Sequence, residues 1–432
     1  MKNKSLFRDI SGVFGSNVFA VAVILLSGIL VARFLGPAGK GTFTALTVVP
    51  VIAASFAAMG IRRTAVYFTG SKKYDNAAVA SAVIHILIIT SLLAMTLTVI
   101  TFFWLNNPAF TLKLITLTVL IIPFRLTTVY IGGIYLGQEK YRFANLMKWL
   151  VPAINLLLLV IFLVLLQMQI IGAVLALLLS GVIVSIIAIR RVYKDFSISW
   201  RWNSDLIKKM IRLGIMYAAS LLILKLIYRI DILLLEQLAD AREVGFYSTA
   251  VNVAEQLWQI PLAVGIVIMS ATANSANPDM MKRKVSALFR LSLIAGLAGG
   301  LVLFFITPWL IPVLYGDVFS PAVSLLQALL PGIILFIAFR ILNSHFNGIG
   351  KPVYAVYAVA PALLLNIVLN FLWIPSYGAF GAAMATNASY VAGAVFMVGL
   401  YMKHTNTSAS MLFLPKKSDF SVITEKIKAR KR

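Results

Sequence analysis

Cysteine is absent from this 432-residue chain, which excludes disulfides, thiol catalysis and cysteine-ligated metals. Charge is scarce: 12% of residues are charged and 61% are hydrophobic, about half the charged fraction of a soluble domain. Acidic residues are scarcer still, 14 against 38 Lys and Arg. Of three histidines, His85 and His345 fall in separate apolar stretches with no other His or carboxylate at ligand spacing. Packed or hydrogen-bonded imidazoles are expected there, and no metal or cofactor site. The chain has no Walker A run, no nucleophile elbow, no His-Glu-x-x-His and no acidic pair in an outer loop. Its outer loops are too short to hold the acceptor and catalytic groups of a membrane glycosyltransferase or polymerase, so no enzyme activity is expected.

What the chain has in abundance is apolar length. Runs of about 20 residues, enough to cross a hydrocarbon core as helix, recur twelve times. Six lie near residues 10–32, 43–68, 77–103, 114–136, 144–166 and 170–189; six more lie near 210–235, 245–270, 286–306, 322–345, 353–374 and 379–402. The fold class expected is an all-α integral membrane protein. The first run is longer than a signal-peptide core and lacks a small-residue cleavage site, so it is expected to stay as a helix.

Lys and Arg fix the expected orientation, because inner loops hold the excess. With the N-terminus inside, thirty fall on inner segments and four, Arg33, Lys40, Lys113 and Arg242, on outer ones. Both termini are therefore expected in the cytoplasm. The net charge of +24 is spread over every inner segment rather than gathered on one face. It suits topogenesis and attraction to anionic lipid, not nucleic acid.

The halves repeat each other in order. Gly41-Thr-Phe-Thr-Ala45 recurs as Gly245-Phe-Tyr-Ser-Thr-Ala250, Gly137-Gln-Glu-Lys140 as Gly348-Ile-Gly-Lys351, and Ile171-Gly-Ala-Val-Leu-Ala176 as Phe380-Gly-Ala-Ala-Met-Ala385, at offsets of 204, 211 and 209. An even number of spans per copy makes the repeat parallel. Two six-helix bundles related by a pseudo-two-fold along the membrane normal are expected, with the substrate path between them. The division expected is 1–190 and 210–403 for the bundles, 191–209 for a cytoplasmic joint and 404–432 for a basic tail.

Six charges interrupt the apolar runs: Arg125, Lys225, Arg229, Asp231, Glu255 and Arg340. Each costs about 2.5–3.5 kcal/mol at mid-bilayer on insertion scales, so each is expected to face a partner or water. Four are cationic, which points to a cationic cavity formed by Arg125, Lys225, Arg229 and Arg340 and to an anionic substrate. Asp231 and Glu255 are candidates for coupling to an ion. At 100° per residue Lys225 and Arg229 share a face while Asp231 points elsewhere. Pairing of Lys225 or Arg229 with Glu255 competes with snorkelling of Arg229. Polar stripes flank these charges: Ser248, Asn252, Gln256 and Gln259 on the eighth span, Asn343, Ser344 and Asn347 on the tenth, and Asn366 and Asn370 on the eleventh. Asn252, Gln256, Gln259, Asn343 and Asn347 either line the cavity or bond helix to helix. Arg62 and Arg63 either line its inner mouth or anchor the span. Tyr228, Trp258 and Trp149 either stack on sugar rings or serve packing and the lipid interface.

Four segments carry a family resemblance: Arg33-Phe-Leu-Gly-Pro-Ala-Gly-Lys-Gly-Thr-Phe43, Tyr228-Arg-Ile-Asp-Ile-Leu-Leu-Leu235, Val244-Gly-Phe-Tyr-Ser-Thr-Ala250 and Asn347-Gly-Ile-Gly-Lys351. On these the chain resembles the polysaccharide transporter family, the O-antigen-type flippases of the multidrug/oligosaccharidyl-lipid/polysaccharide exporter superfamily. The resemblance implies two bundles rocking about a cationic cavity. It also implies a polyprenyl-diphosphate-linked oligosaccharide, a repeat unit of O-antigen lipopolysaccharide or a related surface polysaccharide, carried across a bacterial inner membrane. Membrane lipid is an implied partner, with polysaccharide polymerase and chain-length machinery as further candidates. Related lipid II flippases usually carry two more spans than are found here. Drug antiporters of the superfamily often rely on carboxylates in the first half, whereas Asp231 and Glu255 both lie in the second; a cation-coupled multidrug or small-molecule exporter is the alternative.

Overall fold

The computed structural model describes residues 2–71, 73–275 and 277–415, with side chains from residue 19 onward except 216, 217 and 219–221. The basic tail beyond residue 415 lies outside the described residues. No strand occurs among the described residues, as expected where lipid offers backbone groups no hydrogen bonds. Nine described helices are long and apolar enough to cross a membrane, yet they contain more than nine spans. Helix Lys2–Ala57 folds at Gly36 (φ 66°) and Val353–Thr405 folds at Gly378 (φ 53°), left-handed positions that glycine adopts without strain. The seventh span is broken into Ser204–Ile227 and Ile230–Leu238. Counting these recovers twelve spans, and the protein is an all-α, multi-pass membrane protein.

The described residues form two compact units, one reaching to Lys225 and including Asp240–Gly245, the other made of Leu226–Ala239 and the residues from Phe246 onward. In the first unit the second span stops at Ala57, turns through Met59 (φ 41°) and Gly60 (φ 67°), and resumes as Ile61–Gly70. Glycines let the fourth span, Leu112–Gly137, close on it: a Cβ at Gly133 would lie 2.7 Å from the Arg62 carbonyl oxygen. Close backbone approach of this kind substitutes for a hydrophobic driving force in lipid. The sixth span runs to Asp195, so the non-helical joint shrinks to 196–203. That joint is docked rather than loose. Ser199 N–H donates to Ser81 Oγ at 2.9 Å, and Trp200 and Trp202 set their rings edge-on to His85. Lys209 ties Ser204–Ile227 to Tyr74 (3.0 Å) and pairs with Asp205 of its own helix (2.6 Å), hydrogen bonds that raise its pKa.

In the second unit the tenth span, Pro321–Gly348, is the central element. Gly296 and Gly300 of the ninth span, Pro278–Tyr315, receive Ile337 and Ile334, and Gly265 of the eighth receives Ser344. Asn387 of the twelfth span caps the exposed backbone of the tenth, accepting from Gly332 N–H at 2.9 Å and donating to the Ala328 carbonyl. His345 is a packed imidazole, 3.3 Å from Thr272 Oγ1 and edge-on to Tyr401.

Of the repeated motifs read from the sequence, the pair at Gly137 and Gly348 makes matching contacts. A Cβ at Gly137 would meet Val66 O at 2.7 Å and Thr69 Cβ at 2.8 Å; one at Gly348 would meet Met269 O and Thr272 Cβ at the same distances. Lys140 N–H closes on Tyr135 O at 2.9 Å and Lys351 N–H on Phe346 O at 2.8 Å, with Glu139 and Gly350 both left-handed. Within the first unit, Gly41 abuts the Ala241 carbonyl and Gly245 abuts the Pro37 carbonyl. Equivalent residues here touch reciprocally, the pattern of a local two-fold.

Candidate functional site

The second unit holds an ion pair at two interruptions of helix. Arg229 (φ −143°) sits in the break of the seventh span. Glu255 opens the 3-10 turn Glu255–Trp258 that separates Ala241–Ala254 from Gln259–Ala273 in the eighth. The two side chains form a forked ion pair, Nη1–Oε1 2.8 Å and Nη2–Oε2 3.0 Å, with 27% and 17% of each exposed. Arg229 Nη1 also donates to the Tyr228 carbonyl at 2.7 Å. On the other side of Tyr228, Arg340 Nη1 donates to the phenolic oxygen at 3.1 Å, and the Arg340 guanidinium lies 4.6 Å from the centre of the Trp258 ring. Arg340 has no carboxylate partner among the described residues. Trp258 is fixed by its Nε1 hydrogen bond to Ile333 O (2.9 Å), and Phe336 and Tyr390 stack behind it. Two guanidiniums thus contact one tyrosine, one neutralised by a carboxylate and one held by the Tyr228 hydroxyl and the Trp258 ring face.

Deeper in the unit lies Asp231, 2% exposed. Tyr247 donates a short hydrogen bond to it, Thr386 lies at 3.3 Å, and Ile232 N–H donates at 2.9 Å. Beside this cluster Asn366 donates to Ser389 and Asn370 donates to Asn366, all fully buried. A carboxylate dehydrated to this degree and met by hydroxyls has the donor set for a proton or a small hard cation.

The structure brings together Arg229, Glu255 and Arg340, and places Asp231 close to them. Lys225 and Arg229 do not share one continuous helix. The break after Ile227 ends the helical register on which the expectation of a shared face rested, and Lys225 is exposed on Ser204–Ile227. Arg125 is exposed on the fourth span of the first unit, with no side-chain partner among the described residues. Arg229 is no free cation, since Glu255 satisfies it. Of the polar stripes, Asn252 and Gln259 are exposed, whereas Gln256 bonds back to Asn252 O (2.8 Å). Asn343 and Asn347 are partly buried, and Asn343 Oδ1 has no hydrogen-bond partner among the described residues. Trp149, in the first unit, packs edge-on to Phe19. Sequence reasoning missed Tyr247, Thr386 and Tyr390. Tyr247 stood inside the Val-Gly-Phe-Tyr-Ser segment, but only packing identifies it as the partner of Asp231. Lys40, counted with the outer loop, is 3% exposed.

The duplication makes this site one-sided. At the offsets of 204, 211 and 209, Arg229, Asp231, Glu255, Trp258, Arg340 and Thr386 fall opposite Leu25, Ser27, Val51, Ala54, Val129 and Leu177.

Twelve apolar spans define a multi-pass membrane protein, and its second unit holds a partly buried ionic cluster within those spans. Residues 6–273 match the family model described as polysaccharide biosynthesis protein, more than half of the chain, and the protein belongs to that family. Residues 217–372 match the MatE model. An uncharacterized membrane protein of Methanocaldococcus jannaschii is 21% identical over 92% of this chain and 97% of its own length. Among solved structures, the fold is similar to the lipid II flippase MurJ in an inward closed conformation (TM-score 0.75, 14% identity, 91% of this chain and 87% of that one). It is also similar to an inward-facing multidrug resistance MATE transporter of the MOP superfamily (TM-score 0.71, 17% identity, 90% and 94%). A third is a MOP superfamily transporter from Pyrococcus furiosus whose binding pocket is described as of reverse polarity (TM-score 0.61, 16% identity, 93% and 95%).

Proposed function

We propose that the protein is a flippase that moves a polyprenyl-diphosphate-linked oligosaccharide, the repeat unit of an O-antigen or related surface polysaccharide, from the inner to the outer leaflet of the cytoplasmic membrane. The observation that carries this reading is Arg340, a guanidinium inside a membrane helix that is held by Tyr228 and Trp258 with no carboxylate to neutralise it. Such a group has donors left for a phosphate and sits beside ring faces suited to a sugar. The family match and the likeness to a lipid II flippase support the same reading. Arg125, Lys225 and Arg229 are proposed as further counter-charge, Asp231 and Glu255 as the ion-coupling groups, and the thirty inner Lys and Arg as the reason both termini face the cytoplasm.

The test is complementation of a strain lacking the gene, scored by surface polysaccharide at matched protein level. Arg340→Ala should reduce export by about tenfold or more, the effect of losing roughly 1.4 kcal/mol of binding. Arg340→Lys should be milder, because it keeps charge and loses only the fork. Export left intact by Ala at 125, 225, 229 and 340 together, in a properly inserted protein, would refute the cationic mechanism and favour a cation-coupled exporter.

A further inference from the structure

We infer that Glu255 is a built-in competitor for the substrate's acidic group. In this conformation its two oxygens take the two donor positions of Arg229 that a phosphate takes on binding. The inference rests on the flippase reading above and adds to it a self-occupied state of the anion site.

Three observations converge on the pair. First, the fork is satisfied end-on at 2.8 and 3.0 Å, the two-point geometry by which guanidinium recognises both carboxylates and phosphates. Glu255 therefore mimics the ligand rather than occupying some other part of the cation. Second, both partners stand where the α-helix is interrupted, Arg229 between Ile227 and Ile230 and Glu255 on a 3-10 turn. Their backbone can turn without dismantling a run of helix hydrogen bonds, and interruptions of this kind in membrane helices occur where backbone lines a cavity. Third, the pair is partly exposed while Asp231, two residues after Arg229, is 2% exposed. A ligand can reach the first carboxylate and not the second.

The charges then decide the exchange. Arg229, Arg340 and Glu255 together carry a single positive charge around Tyr228. Moving Glu255 aside leaves two guanidiniums on either side of that residue, enough to hold a diphosphate between them. Breaking a partly buried pair is costly when nothing replaces the lost partner. A substrate that supplies its own oxygens to Arg229 removes most of that cost; an uncharged solute does not. The pair thereby selects for acidic ligands before any sugar is read.

A purely structural ion pair and a competitor predict opposite signs. The full-length protein in phosphatidylcholine nanodiscs is titrated with pyrophosphate and with farnesyl diphosphate by calorimetry. Glu255→Gln should bind both more tightly than wild type, by about tenfold if the pair is closed in about nine molecules of ten. Arg229→Ala should lose binding. Glu139→Gln, an exposed change of the same charge in the first unit, should match wild type and so controls for net charge. Glu255→Asp, which keeps the charge on a shorter arm, should fall between wild type and Glu255→Gln, and thermal unfolding verifies that each variant is folded. Unchanged or weaker binding by folded Glu255→Gln and Glu255→Asp, with wild type still binding, overturns the competitor and leaves the flippase reading standing. No binding by any variant overturns both. Binding abolished when phosphatidylglycerol is added to the nanodiscs makes bulk lipid phosphate the occupant and overturns the assignment to substrate.

Discussion

Asp231 shows how little of a buried carboxylate is decided by its own position. Burial at 2% exposure is unfavourable for the ion, and Tyr247, Thr386 and the Ile232 N–H offset it. Removing the phenolic hydroxyl leaves a buried acceptor short of a donor, at a cost of about 1–3 kcal/mol. Tyr247→Phe should therefore lower the thermal unfolding midpoint in detergent and weaken any sodium- or proton-linked stabilisation. Replacing both Asp231 and Glu255 with their amides should make transport in proteoliposomes indifferent to imposed ion gradients; a gradient response that survives would remove them from the coupling mechanism. The charges themselves were legible in the sequence, because six charged residues in apolar runs need no structure to be noticed. Their pairing was only half legible. Arg229 with Glu255 was among the expected pairs, but Tyr-Arg-Ile-Asp reads as continuous helix, and nothing in its periodicity announces the break that separates Lys225 from Arg229.

At the scale of elements, glycine contacts carry the packing. A methyl group at Gly348 would come within 2.7 Å of the Met269 carbonyl, and one at Gly137 within 2.7 Å of Val66 O. Gly348→Ala and Gly137→Ala should each destabilise by about 1–3 kcal/mol, the usual cost of overpacking a tight contact. Gly28→Ala, with nothing within 4 Å of the added atom, should be neutral or slightly stabilising, since alanine favours helix. Thermal unfolding of the three variants measures the contrast, and a Gly348→Ala midpoint equal to that of Gly28→Ala would contradict the packing described. The glycine repeats were legible as motifs because they recur in order. Which carbonyl each one touches was not, since spacing along one helix says nothing about its neighbour. The breaks at Met59–Gly60 and at Glu255–Trp258 were hidden for a related reason: apolar composition reports that a segment lies in lipid, not whether its hydrogen bonds run unbroken.

For the whole molecule, the span count was readable from hydropathy, and the structure explains why nine helices qualify by length among the described residues although twelve spans are present. Folding at Gly36 and Gly378 joins neighbours, and the break at Arg229 divides another. The orientation can be checked directly because the chain has no cysteine. Single cysteines at 139, 194 and 403 should be shielded from membrane-impermeant maleimide in intact cells, and cysteines at 107 and 317 should be labelled. The reverse pattern would overturn both the positive-inside argument and the direction of transport proposed.

The one-sidedness of the site has a consequence for stoichiometry. A chain built of two copies had the opportunity to present two equivalent charge centres, loaded in turn or together. In place of Arg229, Glu255 and Arg340 the first copy has Leu25, Val51 and Val129, so a second centre cannot form by symmetry. If the proposed function holds, each turnover should engage one acidic headgroup at this centre, and kinetics of transport in proteoliposomes should show no cooperativity within a chain.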